Sequence, residues 1–291
     1  VTWLSVVLVG IGVGDIVRST SWRPGRVVGH VVAPVVIVGL ALLAGLSSWV
    51  DLIALVLAAA AGAAWAELSR RTQMTGRAAL AALAVFAGIV VGLLAFSGAA
   101  SPTDGPLSTW LHWADLPGHD PLPASRVLLL TGLAVFNVAT ANIIVRLVLL
   151  TIGALRPSDV TAANAAAAAA ASLTGHPAPP TQGQPADRLK GGRLLGPMER
   201  LVILGLGVAG EFGAAGLVIA AKGLLRFPEI QAAARGNGGG SGGSGGTDPN
   251  ASPTSGSYSG GPAGIDDVTE YFLVGSFVSW LIALGSLALT V

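Results

Sequence analysis

Apolar residues in this chain run in long unbroken blocks, with neither the alternation of a half-buried strand nor the stripe of a surface helix. Blocks approaching the roughly 20 residues needed to cross a hydrocarbon core of about 30 Å predict membrane-spanning helices. The candidates are residues 2–17 (short), 27–46, 50–68, 78–99, 126–150, 198–221 and 270–290. Pro34 removes a backbone donor inside the second block and predicts a kink there. Only Ser47-Ser48-Trp49 separates the second block from the third, so those two form an antiparallel hairpin. The expected fold is an all-α integral membrane bundle of about seven transmembrane helices. Residues 1–156 form a five-helix membrane region, 157–192 an Ala/Pro-rich cytoplasmic linker, and 193–291 a two-helix membrane region. A Gly/Ser-rich tether at 236–264, too poor in apolar surface to order itself, interrupts the last of these.

Composition sharpens the membrane reading. Hydrophobic residues make up 52% of the 291 and charged residues 11%, where a soluble domain carries about 25% charged. The formal net charge of +1 offers no field for nucleic acid. Cysteine is absent, which excludes disulfides, thiolate metal sites and cysteine nucleophiles.

The basic residues predict an orientation. Arg18, Arg23 and Arg26 follow the first block, which no positive residues precede, so it reads as a retained span and not a cleaved signal. Arg70, Arg71 and Arg77 follow the third block, and Arg156, Arg188, Lys190 and Arg193 follow the fifth. The positive-inside bias then puts the N-terminus outside a plasma membrane. A single crossing at 198–221 breaks the pattern, because Lys222, Arg226 and Arg235 would emerge on the outer side.

Polar residues inside the blocks are the candidate functional groups, since burying them in lipid is costly. Glu211 lies in the middle of 198–221, and on one continuous helix Arg200, Glu211 and Lys222 share a face about 16 Å apart, too far to pair. Asn137, Asn142 and Arg146 form a second cluster, with Arg146 near enough to the inner end to snorkel. Asp15 with Arg18, and Glu67 with Arg70 and Arg71, read as interfacial ion pairs. The loop 100–124 carries Trp110 and Trp113, an interfacial aromatic belt. Its His112, Asp115, His119 and Asp120 are of metal-ligating type, but Pro117 and Gly118 break the helix that would align them, so no metal or other cofactor is expected. Gly205-Leu206-Gly207-Val208-Ala209-Gly210 satisfies the dinucleotide-binding spacing without the preceding strand, and reads as a small-residue packing face.

From Gly192 onward the chain carries Gly196-Pro197-Met198-Glu199-Arg200-Leu201, Ala220-Ala221-Lys222, Arg226-Phe227 with Glu229, and Glu270-Tyr271-Phe272-Leu273-Val274-Gly275 with Ser279. This segment resembles the C-terminal half of an uncharacterised family of bacterial multi-pass membrane proteins. The resemblance implies a bacterial membrane protein and singles out Glu199, Arg200, Lys222, Arg226, Glu229, Glu270 and Tyr271 as a helix-end set; it implies no activity. A pair between Lys222 or Arg226 and Glu270 would reconcile the outer basic residues with the charge rule.

Three functions follow as expectations. The first is transport or permeation of a small solute or ion past Glu211, Asn142 and Lys222. The second is a non-catalytic structural or regulatory subunit, with a membrane protein or a second copy as partner. The third is a lipid-modifying enzyme gripping phosphate near Lys222 and Arg226; it ranks last, because no nucleophile or metal set accompanies the cluster, and the chain reads as a non-enzyme whose first partner is the lipid bilayer.

Overall fold

A computed structural model describes residues 1–19, 25–114, 123–157, 161, 166, 192–236 and 265–290, and every regular element among them is helical. In chain order these are α1 (Thr2–Ser19), α2 (Gly25–Ala44), α3 (Trp49–Thr75), α4 (Ala79–Ala95), a 3-10 turn (Ser97–Ala99), α5 (Pro106–Ala114), α6 (Ala124–Val138), α7 (Thr140–Thr151), α8 (Gly192–Val208), α9 (Phe212–Gly236) and α10 (Ile265–Ala288). By length and apolarity three segments can cross a membrane alone: α1, α3 and Tyr271–Ala288. The α6–α7 pair makes a fourth if taken as one bent span, while Val28–Ala44, Ala79–Ala95 and Phe212–Leu224 are apolar but shorter. The expected tether beyond Gly236, which ends α9, and most of the expected linker lie outside the described residues.

α1 is the axis of the bundle. It touches α2, α3, α4, α6 and α7, and almost all of it from Thr2 to Asp15 is buried. Glycine lets the neighbours close in: a Cβ on Gly12 would meet Val135 Cγ1 at 2.6 Å, and one on Gly132 would meet the Ser5 carbonyl at 2.8 Å. The outward stripe of α2, formed by Val31, Val35, Val38 and Leu42, is 56–68% exposed. Together with Leu52, Ile53, Val56 and Leu57 on α3 it makes an apolar surface suited to lipid tails and not to water.

The turn between α2 and α3 is fixed by a capping box, in which Asp51 N–H donates to Ser48 Oγ at 3.1 Å and Ser48 N–H to Asp51 Oδ2 at 3.1 Å. Pro34 is accommodated within an unbroken α2.

Two expected spans are divided. Residues 126–150 break at Ala139, with α6 and α7 meeting at a bend of 43°. Residues 198–221 are not one helix. α8 ends in a Schellman turn, with Gly210 at φ 83° and Glu211 N–H donating to the Leu206 carbonyl at 2.8 Å. α9 starts at Phe212, and the Ala215 N–H reaches back to the Glu211 carbonyl at 3.0 Å. The Lys222 ammonium is paired with the Glu199 carboxylate. On one straight helix those residues would stand about 34 Å apart, so α8 and α9 are the antiparallel arms of a hairpin with residues 209–211 at its tip.

The remaining contacts fix the helix directions. Trp3 Nε1 donates to Asp51 at 2.7 Å, and Trp65 Nε1 approaches Asp15 at 3.5 Å, so α1 and α3 run parallel. Gly12 faces Val135 and Gly132 faces Ser5, so α6 runs with them; Gly10 against Ile37 and Gly14 against Gly29 set α2 antiparallel. Arg200 meets Ser279 and Gly207 meets Leu287, so α8 and α10 are parallel. Asn137 meets Ser286 while Gly275 meets Leu149 and Val145, which sets α10 against the α6–α7 direction. One side of the molecule therefore holds the C-terminal ends of α1, α3, α7 and α9 and the N-terminal ends of α2, α8 and α10. Every lysine and arginine except Arg126, Arg146, Arg200 and Lys222 belongs to a helix end on that side, to the second half of α9, or to sequence joining two such ends.

Candidate functional site

The break at Ala139 needs no proline. Asn137 and Thr140 flank it, and both residue types compete with the helix for backbone partners. A break inside a bundle leaves carbonyls of α6 without helical donors, and these must be satisfied by protein. The Asn142 amide donates to the Val138 carbonyl at 3.0 Å, and Arg200 Nε donates to the Asn137 carbonyl at 3.0 Å.

Arg200 arrives from α8 and is 2% exposed. Its terminal nitrogens donate to Ser279 Oγ on α10, at 2.8 Å, and to Asn142 Oδ1 on α7. Ser279 is central in the apolar segment Tyr271–Ala288, so the guanidinium sits at mid-depth of that helix. Asn137 extends the seam, donating to the Leu133 carbonyl at 2.8 Å and to Ser286 Oγ at 2.9 Å. Its Oδ1 accepts from nothing and is the one buried side-chain atom of the described residues without a partner.

On the other side of the break lies Asp15 of α1, 2% exposed. Arg18 forms an ion pair with it, Thr140 Oγ1 donates to it at 2.7 Å, and Trp65 Nε1 approaches at 3.5 Å. Trp65, Phe86 and Phe136 wall this end, with ring centroids 5.0 and 5.6 Å apart in sequence. A cavity of about 40 Å³ between α1, α2 and α3 adjoins Arg18 and His30, enough for one or two waters.

Both charges complement the broken helix. Thr140 opens α7, and the carboxylate it binds stands at the positive end of that half-helix; Arg200 stands at the negative end of α6.

The structure gathers Asn137, Asn142 and Arg200, and draws in Asp15, read from sequence as an interfacial partner of Arg18 but buried in the core. Glu211 does not join them. It is exposed at the hairpin tip, because its helix ends three residues earlier. Arg146 is exposed on α7, and the Glu67 pairs with Arg70 and Arg71 are present on the surface. Lys222 pairs with Glu199; the side chains of Arg226, Glu229 and Glu270, and with them the expected pair to Glu270, lie outside the described residues, and Tyr271 is half-buried at the start of the apolar part of α10. The glycine run 205–210 closes a helix: Gly207 packs on Leu287 and Gly210 makes the turn. Trp110 and Trp113 are exposed on α5, whereas Asp115, His119 and Asp120 lie outside the described residues. Thr140 and Ser286 were missed, and Ser279 was noted only within the resemblance, because a lone hydroxyl in an apolar helix shows no role until its partner is known.

No protein-family model matches the chain, and no curated protein or solved structure matches it.

Proposed function

We propose that the chain is a multi-pass membrane protein that moves a small polar solute or ion along the seam at the α6–α7 break. The observation that carries this reading is the break itself, held between a buried carboxylate and a buried guanidinium. Discontinuous helices with ionisable partners are the recurrent way of exposing polar backbone to a cargo at mid-membrane. The resemblance of residues 192–279 to a bacterial membrane family supports a plasma membrane location. In this reading α1–α4, the α6–α7 pair, α8, α9 and α10 all cross, giving one crossing more than the apolar blocks suggest. The basic side then faces the cytoplasm and the N-terminus lies outside.

A structural or regulatory subunit is the second reading, favoured by the complete satisfaction of Asp15 by Arg18, Thr140 and Trp65. Small charged thiol reagents separate the two, because the chain has no cysteine of its own. For transport, a Ser279→Cys variant reacts from water while a lipid-facing control, Leu281→Cys, does not. An inert Ser279→Cys in every condition tried would leave the subunit reading.

A further inference from the structure

The Arg200 end of the seam has donors and an acceptor left over. A guanidinium carries five N–H groups. Nε, Nη1 and Nη2 each use one, toward Asn137, Ser279 and Asn142, which leaves one N–H on each terminal nitrogen without an acceptor among the described residues. No described carboxylate pairs with Arg200: Glu199 is held by Lys222, and Asp15 by Arg18. Asn137 Oδ1 is the complementary remainder, an acceptor on a residue with no exposure at all. Turning the amide over would not cure it, because Oδ1 would then face the Leu133 carbonyl that now accepts from Nδ2. A buried acceptor without a donor demands a partner.

Resting on the transport reading, we propose that these leftover groups recognise a small monovalent oxyanion that carries its own O–H or N–H, of the hydroxy-carboxylate type. Two anionic oxygens take the two free N–H groups of Arg200 as a charge-assisted fork. The ligand's own hydroxyl or amine donates to Asn137 Oδ1. Charge selects in the same direction. The Asp15–Arg18 and Glu199–Lys222 pairs are each neutral, so among the described residues Arg200 leaves the seam one positive charge in excess, which a monovalent anion cancels and a cation would aggravate. Arg200 is 2% exposed as the seam stands, so binding requires the seam to open around it.

Glycolate and acetate test this, since they share a carboxylate and differ by one hydroxyl. The whole chain in detergent is titrated with each sodium salt at constant ionic strength, following thermal stability, with chloride as control. The expected result is half-maximal stabilisation by glycolate at about five-fold lower concentration than by acetate, the worth of one neutral hydrogen bond. Asn137→Ala should erase the difference and keep the acetate response; Arg200→Lys should weaken both. Equal midpoints in the unmodified protein, chloride as effective as either, or no response to any anion overturns the proposal, and these comparisons need no variant to fold. The two failures are distinguishable. A reactive Ser279→Cys without anion stabilisation removes the ligand chemistry alone, whereas glycolate preference with an inert Ser279→Cys keeps the site and removes conduction.

Discussion

The two ends of the seam solve opposite problems. At Asp15 the charge is balanced beside it by Arg18, and Thr140 and Trp65 add neutral donors, so the group is fully committed. At Arg200 the charge has hydrogen bonds but no ion-pair partner of its own among the described residues, and the neighbouring Asn137 keeps an unused acceptor. The Asp15 end joins α1, α3 and α7 within the N-terminal bundle; the Arg200 end joins that bundle to α8 and α10. A satisfied pair behaves as a rivet, while an uncompensated ion between two groups of helices behaves as a latch that something else can occupy.

Substitution of each ion should break the symmetry most visibly. Asp15→Leu strands a cation and two donors, so it should lower stability by about 3–5 kcal/mol in denaturation followed in detergent. Arg200→Met removes a charge with no ion-pair partner among the described residues and keeps most of the stem, so about 1–3 kcal/mol is expected from the acceptors it abandons. A larger loss for Arg200→Met than for Asp15→Leu would reverse the rivet and latch assignments.

Midway along the hairpin, Glu199→Gln leaves the mostly buried Lys222 without its partner and should cost about 1–3 kcal/mol. The exchange Glu199→Lys with Lys222→Glu should recover at least half of that loss; no recovery would mean the two residues do not meet. Gly210→Ala forces a Cβ into the left-handed region at φ 83° and should cost about 1–2 kcal/mol. Smallest is Thr140→Val, which removes one hydrogen bond from a carboxylate that keeps its cation, for about 1 kcal/mol in the same assay.

Much of the helix layout was legible in the sequence, because long apolar blocks map directly onto α1 to α4 and onto Tyr271–Ala288. The two divided blocks were not. Hydropathy averages over a window, so a three-residue turn of Ala209, Gly210 and Glu211 inside apolar sequence leaves no trace in it, and neither does a break without proline at Ala139. One signal was present: the basic residues after 221 contradicted a crossing at 198–221, and the hairpin removes the contradiction by returning α9 to the basic side. Arg200 and Asn142 stood out as polar groups in apolar surroundings, but Glu211 attracted the larger role only because its helix was taken as continuous. Asp15 was read at the interface because Arg18 lies one turn away; that the pair turns inward depends on Thr140, 125 residues further along.

The hairpin of α8 and α9 is what sets Arg200 against the broken helix. Sidedness tests it most directly. Three single cysteines are compared in sealed vesicles of both orientations with an impermeant thiol reagent: Glu211→Cys at the hairpin tip, Asp104→Cys near α5, and Thr75→Cys at the basic end of α3. The hairpin predicts that Glu211→Cys labels in the same vesicles as Asp104→Cys and in the opposite ones to Thr75→Cys. Protection of Glu211→Cys from both sides, as one continuous crossing helix would give, or labelling alongside Thr75→Cys, would contradict it.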